Sequence, residues 1–426
     1  PCHPVTLSLR RSIARSDLPA LALLLGLILL FFWKLAFTNL IIARGDIFYY
    51  FYPYRDYAAS ALRDGHIPFW NPYLFMGAPF LANSQVGFFY PVNLLMSWFD
   101  TVRAINWTIA LHIFIAASGV YVFARRRLGL SIVAAWLAAV SFGLGGYLGT
   151  QIEHVNQLQG LAWIGWIFLA YDAVVSGQQL AFSIQHSAFR DALILSLLIA
   201  VQLLAGHTQA VYITLFGLGI YAAWPAIELI VKQPRRVIPT LAVRLWPILP
   251  ASIFAVALSA IQLLPTLELT RLSARSGGLP TNLAVSFSLD PRMLGRALLP
   301  DYAGAMPAGG EFTSFFSVGL LVLMILGVVS VNWSTLALHA SAGVGRLVNW
   351  STGRLVNEST GQLITNSQLP NHQLTSHPVR PASYRAIIVV ALLGLVLAFG
   401  GYTPIYYALL KIVPGFDLFR APARWL

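Results

Sequence analysis

Apolar stretches dominate this chain and restrict it to folds that are stable in a lipid bilayer. A helix needs about 20 apolar residues to cross the hydrocarbon core, and nine stretches reach or approach that length. The nine stretches are Leu18–Ile42, Ala104–Ala124, Leu130–Thr150, Leu158–Val175, Ala192–Ala205, Ala210–Val231, Leu245–Pro265, Phe315–Val331 and Ala386–Phe399. Hydrophobic residues make up 58% of the chain and charged residues only 10%, with a mean hydropathy of +0.71. Because backbone polar groups in lipid must be bonded within the protein, we expect an all-α integral membrane protein, a polytopic helical bundle of about nine or more transmembrane helices.

The two termini add three expectations. Leu18–Ile42 is too long for a signal-peptide core and lacks a small-x-small cleavage site, so we interpret it as a retained signal anchor. Cys2 is the only cysteine in the sequence, which excludes disulfides and thiolate metal clusters within the chain. The chain begins at Pro1 and stops inside LFRAPARWL, and we expect further helices or a domain beyond Leu426.

The net charge of +12 is explained by membrane orientation and not by nucleic-acid binding. If the N-terminus is cytoplasmic, the inner segments carry 15 of the 27 lysines and arginines, and the outer segments carry 10 of the 15 acids. Basic residues concentrate on the cytoplasmic side of membrane proteins, whereas acids contribute little to orientation. The outer acids are therefore the better candidates for function.

The chain divides into three predicted parts. A transmembrane core occupies 1–331 and carries two large outer loops, 43–103 and 266–314. A low-complexity insertion occupies 332–384, where GRLVNWST, GRLVNEST and GQLITNSQ recur at a spacing of eight, and we expect it to be disordered and cytoplasmic. The last part, 385–426, contains one membrane helix and the start of an outer segment.

The first large loop contains the strongest catalytic candidate. Its segment IFYYFYPYRDYAASALRDG alternates aromatic and charged faces at helical spacing, which predicts amphipathic helices lying on the membrane. Asp46 sits where the first helix emerges, reachable from water and from lipid, and such a carboxylate can act as a general base on a hydroxyl. An interfacial charge within an aromatic belt is the alternative. Asp56 is either a second acidic group or a partner for Arg55.

Two short outer turns contain polar groups that a simple linker does not need. Glu153 and His154 lie between two apolar helices, and such an acid–histidine pair can bind a divalent cation or orient an acceptor. His207 and Gln209 occupy the next outer turn and are expected to converge on the same place. A hydrogen-bonded turn without further function remains the alternative. His112, within a helix, is interpreted as a packed or helix-bridging histidine.

Arginines in the outer segments do not follow the preference of basic residues for the cytoplasmic side, so they need another explanation. Arg271 and Arg292 belong to the second large loop, and Arg420 and Arg424 belong to the string GFDLFRAPARWL. Guanidinium groups bind phosphate through paired hydrogen bonds, so these side chains are candidates for holding a lipid phosphate. Anchoring to lipid headgroups is the alternative. The sequence contains no P-loop, dinucleotide fingerprint, HExxH motif or serine nucleophile elbow.

Several strings taken together resemble the bacterial YfhO-type membrane proteins, which are similar in architecture to GT-C glycosyltransferases. These strings are GDIFYYFYPYRD, PFWNPYLFMGAPFLANSQVGFFYPVNLL, QIEHVNQLQGLAWIGW, LLAGHTQ, ALLPDYAG and GYTPIYYALLKIVPGFDLFRAPARWL. The resemblance covers nearly all of the chain except the insertion. It implies a GT-C-like multi-pass enzyme in the cell membrane that takes a sugar from a polyprenyl-phosphate carrier and transfers it, on the extracytoplasmic face, to a cell-envelope glycan or lipid. It also implies that Asp46 is the catalytic base.

Two other classes of function remain open. A transporter or flippase for a lipid-linked glycan would carry ionisable residues near mid-membrane and paired broken helices. The charges here cluster at helix ends, and no inverted repeat is found, which favours an enzyme. A non-catalytic envelope scaffold leaves the outer arginines and the acid–histidine turn unexplained.

Overall fold

The structure is a computed structural model that describes residues 15–43, 45–179, 185–273, 276–297, 346–349, 354–357 and 381–425. Within these ranges nearly all regular structure is helical, and the strands form two short antiparallel pairs. The protein is therefore an all-α membrane protein. The eighth predicted stretch, Phe315–Val331, lies outside the described residues.

The α-helices are numbered in chain order over the described residues. They are α1 Leu18–Phe31, α2 Trp33–Phe37, α3 Tyr52–Arg63, α4 Pro91–Met96, α5 Thr101–Arg126, α6 Ile132–Gly143, α7 Gly146–Thr150, α8 Val155–Leu161, α9 Ile164–Gln179, α10 Gln185–Leu204, α11 Thr208–Ile227, α12 Leu229–Lys232, α13 Val237–Leu245, α14 Ile248–Leu258, α15 Ala260–Arg271, α16 Thr281–Ala284, α17 Pro381–Ala398 and α18 Pro404–Ile412.

Five helical stretches of the described chain are long and apolar enough to cross a membrane. They are Thr101–Arg126, Ile132–Glu153, Val155–Ser176, Thr208–Lys232 and Pro234–Leu258, and Tyr384–Ala398 is a shorter apolar helix. The most apolar part of Thr101–Arg126 is 72% buried inside the protein, against 17% for Pro234–Leu258. Helix α5 is therefore the central helix, and α13–α14 lie at the periphery.

The first predicted stretch, Leu18–Ile42, is not one continuous helix. Helix α1 ends at Phe31, and the chain continues as the short α2, which ends at Phe37. The segment after the break is held by another part of the chain, because Trp107 Nε1 donates to the carbonyl of Ala36 at 3.1 Å and Asn106 Nδ2 donates to Leu40 O at 2.7 Å. These donors satisfy carbonyls that a helix end leaves open.

The predicted bounds of the seventh stretch, Leu245–Pro265, are also wrong. The apolar segment begins earlier, at Pro234, and α14 ends at Leu258. Ser259 then interrupts the helix, with its side chain donating to the carbonyl of Ala200 at 3.2 Å. Since a serine that bonds to a neighbouring helix competes with regular helical bonding, α14 and α15 are separate helices.

Small residues allow close packing against α5. A Cβ on Gly165 would lie 2.6 Å from the backbone carbonyl carbon of Gly119, so α9 crosses α5 with almost no space between their backbones. A Cβ on Gly143 would lie 2.8 Å from Cβ of Ala117. Glycines commonly permit such approaches in membrane helices. Gly143 is therefore a helix-packing residue.

At one end of the bundle, which we call the basic end, arginines pair with the nearby acids. It comprises the helix termini that carry Arg125, Arg127 and Arg385. Arg125 Nε and the hydroxyl of Tyr121 donate to the buried Asp17 at 3.0 and 2.9 Å. The remaining pairs are Arg127 with Asp172 at 3.8 Å, Arg385 with Glu228 at 3.2 Å and Arg190 with Asp191 at 2.9 Å. The acids at this end therefore already have a structural role.

The insertion contributes a separate small unit. Its described residues form an antiparallel pair in which Arg346–Asn349 faces Arg354–Asn357, with Leu347 opposite Val356. Two copies of the repeat RLVN thus pair with each other, since β-branched and aliphatic residues suit a strand. The rest of the insertion lies outside the described residues, and its predicted disorder stays a prediction.

Replacing Gly165 with alanine tests the close crossing of α5 and α9. The added methyl group meets the backbone of Gly119, which cannot rotate away, so we expect the free energy of unfolding to fall by about 1–3 kcal/mol. Thermal unfolding of the protein purified in detergent measures this change. Gly219→Ala is the matched control, because a Cβ there meets nothing within 4 Å. Equal unfolding midpoints for the two variants would contradict the packing described.

Candidate functional site

Asp46 begins a helical segment that is fixed to the bundle. Gly45 adopts a φ of +55°, a left-handed conformation that glycine tolerates best. A Cβ on Gly45 would collide with the carboxylate of Glu153, so the two turns pack directly together. Asp46 is followed by a π-helical turn, Ile47–Phe51, whose first and last side chains are 0% and 3% exposed. These apolar anchors hold Asp46 at the rim of the bundle.

Asp46 and His154 form the central contact of the site. Asp46 Oδ2 lies 3.4 Å from His154 Nε2, and the two side chains are 55% and 26% exposed respectively. The carboxylate therefore reaches solvent while one of its oxygens faces the imidazole. His154 Nδ1 is buried, and no described residue forms a hydrogen bond with it. The contact joins the first large loop to the turn before α8.

His207 lies next to this pair and is itself buried. It precedes α11, where its Nδ1 accepts a hydrogen bond from the backbone N–H of Ala210 at 3.2 Å. Burial lowers the pKa of His207 well below its ordinary value of 6.5, and the charges of Arg424 and His154 lower it further. His207 is therefore a neutral imidazole at pH 7.

Arg424 connects the C-terminal segment to the same group of side chains. Its Nη1 donates to Gln209 Oε1 at 2.9 Å and lies 3.4 Å from His207 Nε2. Gln209 Nε2 in turn donates to the backbone carbonyl of Arg420 at 2.9 Å. We call Asp46, Glu153, His154, His207, Gln209 and Arg424 the acid–histidine cluster, and its location the acid–histidine end. Helix α5 separates this end from the basic end by its 26 residues, or about 39 Å.

The segment that carries both arginines is held by backbone bonds. Ala421 N–H donates to Ser286 O at 3.0 Å, and Ala423 N–H donates to Phe287 O at 3.2 Å. Trp425 stacks on Phe416 with ring centroids 5.5 Å apart. Arg424 points inward to the cluster, whereas the exposed Arg420 lies over the ring of Phe287, 5.8 Å from its centroid.

Three predicted site residues lie elsewhere. Asp56 accepts a hydrogen bond from the hydroxyl of Thr101 at 2.7 Å and has no ion pair with Arg55. Arg271 is exposed at the C-terminus of α15. Arg292 is held by Asp290, with Nη2 2.6 Å from Oδ2, and this pairing lowers the pKa of Asp290. Of the four predicted phosphate-binding arginines, Arg424 and the backbone of Arg420 are the ones brought to the cluster.

A second polar group, which the sequence did not predict, lies inside the first loop. The Arg55 side chain donates to Gln159 Oε1 at 3.3 Å, and Gln159 Nε2 donates to Asn93 Oδ1 at 2.6 Å. Burial lowers the pKa of Arg55 to about 10. The available signal was the presence of amides such as Gln159 within an otherwise apolar segment, where a polar side chain needs a partner.

His112 is a packed histidine, which is one of the two roles expected for it. Its Nε2 lies 2.6 Å from the hydroxyl oxygen of Tyr90, and its Nδ1 lies 2.7 Å from the carbonyl oxygen of Thr108. Trp163 Nε1 also donates to the Tyr90 hydroxyl, at 3.0 Å. His112 is completely buried and has a packing role.

In the described part of the chain, no three side chains among histidine, cysteine, aspartate and glutamate come together as potential metal ligands. A divalent cation at Glu153 and His154 thus stays a prediction. No protein-family model, curated protein or solved structure matches the chain.

Replacing His207 with asparagine should reduce the loss of stability at acidic pH. The pKa of His207 is lower in the folded protein than its unfolded value of about 6.5, so below pH 6.5 the unfolded chain binds the proton more readily. Stability therefore falls as the pH drops, by up to about 1.4 kcal/mol per pH unit from this group. Unfolding midpoints at pH 7.5 and 5.5 measure the effect, because asparagine keeps a helix-capping oxygen and removes the titration.

His66→Asn is the control for this comparison, since His66 is exposed. We expect it to behave as the wild type does. If the unfolding midpoint of His207→Asn falls between pH 7.5 and 5.5 by as much as that of the wild type, the assignment of a buried neutral imidazole is contradicted.

Proposed function

We propose that this protein is a membrane glycosyltransferase of the GT-C type, with about nine or more membrane spans. It moves a sugar from a polyprenyl-phosphate carrier to a cell-envelope glycan or lipid on the extracytoplasmic face of the cell membrane. The observation that carries the proposal is the 3.4 Å contact between Asp46 and His154. It lies at the end of the bundle where Arg424 also reaches His207.

The geometry suits Asp46 for the role of general base. His154 holds one carboxylate oxygen, and the side chain is 55% exposed, so the other oxygen can face an acceptor hydroxyl. A carboxylate within hydrogen-bonding distance of a hydroxyl can accept its proton as the oxygen attacks. The apolar anchors of the π-helical turn keep the carboxylate in place, which reduces the entropy lost when the reactants meet.

The proposed transfer step needs one base and one positive group. Asp46 takes the proton of the acceptor hydroxyl, and the hydroxyl oxygen forms the new bond to the anomeric carbon of the sugar. The bond between that carbon and the phosphate oxygen breaks, and the lipid phosphate leaves with the electron pair. Arg424 or Arg420 compensates the charge of the departing phosphate. Glu153, His207 and Gln209 shape the acceptor pocket.

The surroundings of Asp46 suit a donor that stays in the membrane. Phe48 and Tyr49 lie two and three residues after it and are 56% and 78% exposed. Aromatic side chains of this kind concentrate at the level of the lipid headgroups, which is where the phosphate of a polyprenyl carrier lies. Both substrates can therefore meet Asp46 at the membrane surface.

The positions of the side chains in the acid–histidine cluster support a transporter less well. The side chains of the acid–histidine cluster lie at helix ends and in turns, not at mid-membrane as expected for a carrier site. At the basic end the described acids are paired with arginines. Polar side chains gathered at one end of the bundle fit an enzyme better than a transporter, which needs a pathway through the bundle.

Replacing Asp46 with asparagine tests the base directly. The amide keeps the shape of the side chain but cannot accept the proton, so transfer should fall at least about 100-fold, within the usual range for general-base catalysis. The assay measures release of polyprenyl phosphate from a panel of polyprenyl-phosphoryl sugars by the protein in detergent, with cell-envelope glycan as acceptor. The variant should unfold at the same temperature as the wild type.

Asp64→Asn is the matched control, because Asp64 is an exposed carboxylate at the C-terminus of α3. We expect it to retain wild-type activity. Full activity in Asp46→Asn would remove Asp46 as the base. A wild-type protein that releases no polyprenyl phosphate from any carrier of the panel would contradict the glycosyltransferase proposal itself.

A further inference from the structure

Arg55 is a half-buried cation, and among the described residues it has no carboxylate partner. Its neighbour Asp56 faces Thr101 instead, and in the described part of the chain no carboxylate oxygen lies within 4 Å of its guanidinium. Within the described ranges its side chain makes one hydrogen bond, from Nη2 to Gln159 Oε1 at 3.3 Å. A guanidinium has five N–H donors, so most of those of Arg55 have no acceptor among the residues that the structure describes.

The groups around Arg55 do not neutralise its charge. Burial raises the pKa of both Tyr50 and Tyr90, so these two phenols are neutral at pH 7. Arg55, with its pKa lowered to about 10 by burial, remains protonated. A cation that is partly removed from water and has no anion beside it is disfavoured, which indicates that an anionic partner comes from outside the chain.

Hydrogen bonds among the neighbouring amides orient the Arg55 side chain. Asn93 Nδ2 donates to the carbonyl of Gly87 at 2.8 Å, which orients Asn93 Oδ1 toward Gln159 Nε2. Gln159 must then offer its oxygen to Arg55. This chain of bonds fixes one edge of the guanidinium and leaves the other available for a ligand.

A small cavity lies against Arg55. It has a volume of about 20 Å³, and Asn93, Met96, Ser97 and Phe99 contribute to its walls. That volume holds one water molecule or one oxygen atom of similar size. The cavity lies at the turn between α4 and α5, so a single oxygen of a larger group can enter while the rest of the group stays outside.

The side chains at this turn match the level of lipid headgroups. Leu95, Trp98 and Phe99 are 61%, 65% and 42% exposed around it, and the turn immediately precedes the membrane-spanning α5. Exposed tryptophan and other large apolar side chains at the end of a membrane helix mark the interface. Phosphate groups of membrane lipids lie at the same depth.

We propose that Arg55, presented by Gln159 and reached through the turn between α4 and α5, binds the phosphate group of an anionic membrane lipid. One phosphate oxygen occupies the small cavity and accepts hydrogen bonds from the guanidinium, and the acyl chains remain in the bilayer beside Trp98. This site is separate from the transfer site. Arg55 follows Asp46 by nine positions of helical chain, or roughly 13 Å at 1.5 Å per residue.

The test uses the full chain, purified in mild detergent and stripped of endogenous lipid. Short-chain phosphatidylglycerol is titrated while binding is followed by native mass spectrometry and by the unfolding temperature. We expect saturable binding of one lipid by the wild type and at least tenfold weaker binding by Arg55→Gln. Arg103→Gln is the control, because Arg103 is an exposed arginine near the start of α5 that donates to Asn39, and it should bind as the wild type does.

Further measurements identify the ligand and give results that can contradict the proposal. Inorganic phosphate is tested in the same way. If it raises the unfolding temperature of the wild type as much as the lipid does, and leaves that of the Arg55 variants unchanged, the site recognises the phosphate group alone. If Arg55→Gln does not fold, Arg55→Lys keeps the charge but loses the paired donors, and it should bind the lipid about tenfold more weakly than the wild type. Equal lipid binding by the wild type and the Arg55 variants, or no binding by the wild type, would overturn the proposal. None of these measurements depends on sugar transfer.

Discussion

The packing of helix α5 is the interaction on which the rest of the structure depends. Gly119 and Ala117 on this helix let α9 and α6 approach closely, and its most apolar part is largely enclosed by its neighbours. Its two ends carry different chemistry. Arg125 at the C-terminal end binds the buried Asp17, whereas Thr101 at the N-terminal end holds Asp56. Because ionic groups are excluded from the hydrocarbon between these ends, the polar side chains gather where the helices stop.

This constraint explains how much of the fold could be predicted from the sequence. The apolar lengths predicted α5 and α11 well, because a span of about 20 residues has few alternatives in a membrane. The single helix predicted over Leu18–Ile42 was wrong. The chain that follows the break at Phe32 is held by Asn106 and Trp107, which lie more than sixty positions further along the chain, and no local pattern reveals that contact.

The candidate site was partly predictable for the same reason. Alternating spans place the turns that carry His154 and His207 at one end, and the structure brings them together with Asp46 and Arg424. The position of Arg55 was not predictable. Adjacent residues on a helix point about 100° apart, so only the packing of α3 decides that Asp56 faces Thr101 while Arg55 faces Gln159. The sequence left Asp56 as either a second acidic group or a partner for Arg55, and the structure gives the two neighbours different partners.

The central claim is that the acid–histidine end faces the outside of the cell and the basic end faces the cytoplasm. Cys2 is the only cysteine, so Cys2→Ser provides a background without thiols into which single cysteines can be placed. Asp46→Cys and Arg235→Cys report on the two ends, since both parent residues are exposed. We predict that a membrane-impermeant maleimide added to intact cells labels the Asp46→Cys protein, and labels the Arg235→Cys protein only after lysis. Labelling of the Arg235→Cys protein in intact cells, with the Asp46→Cys protein protected until lysis, would contradict the account.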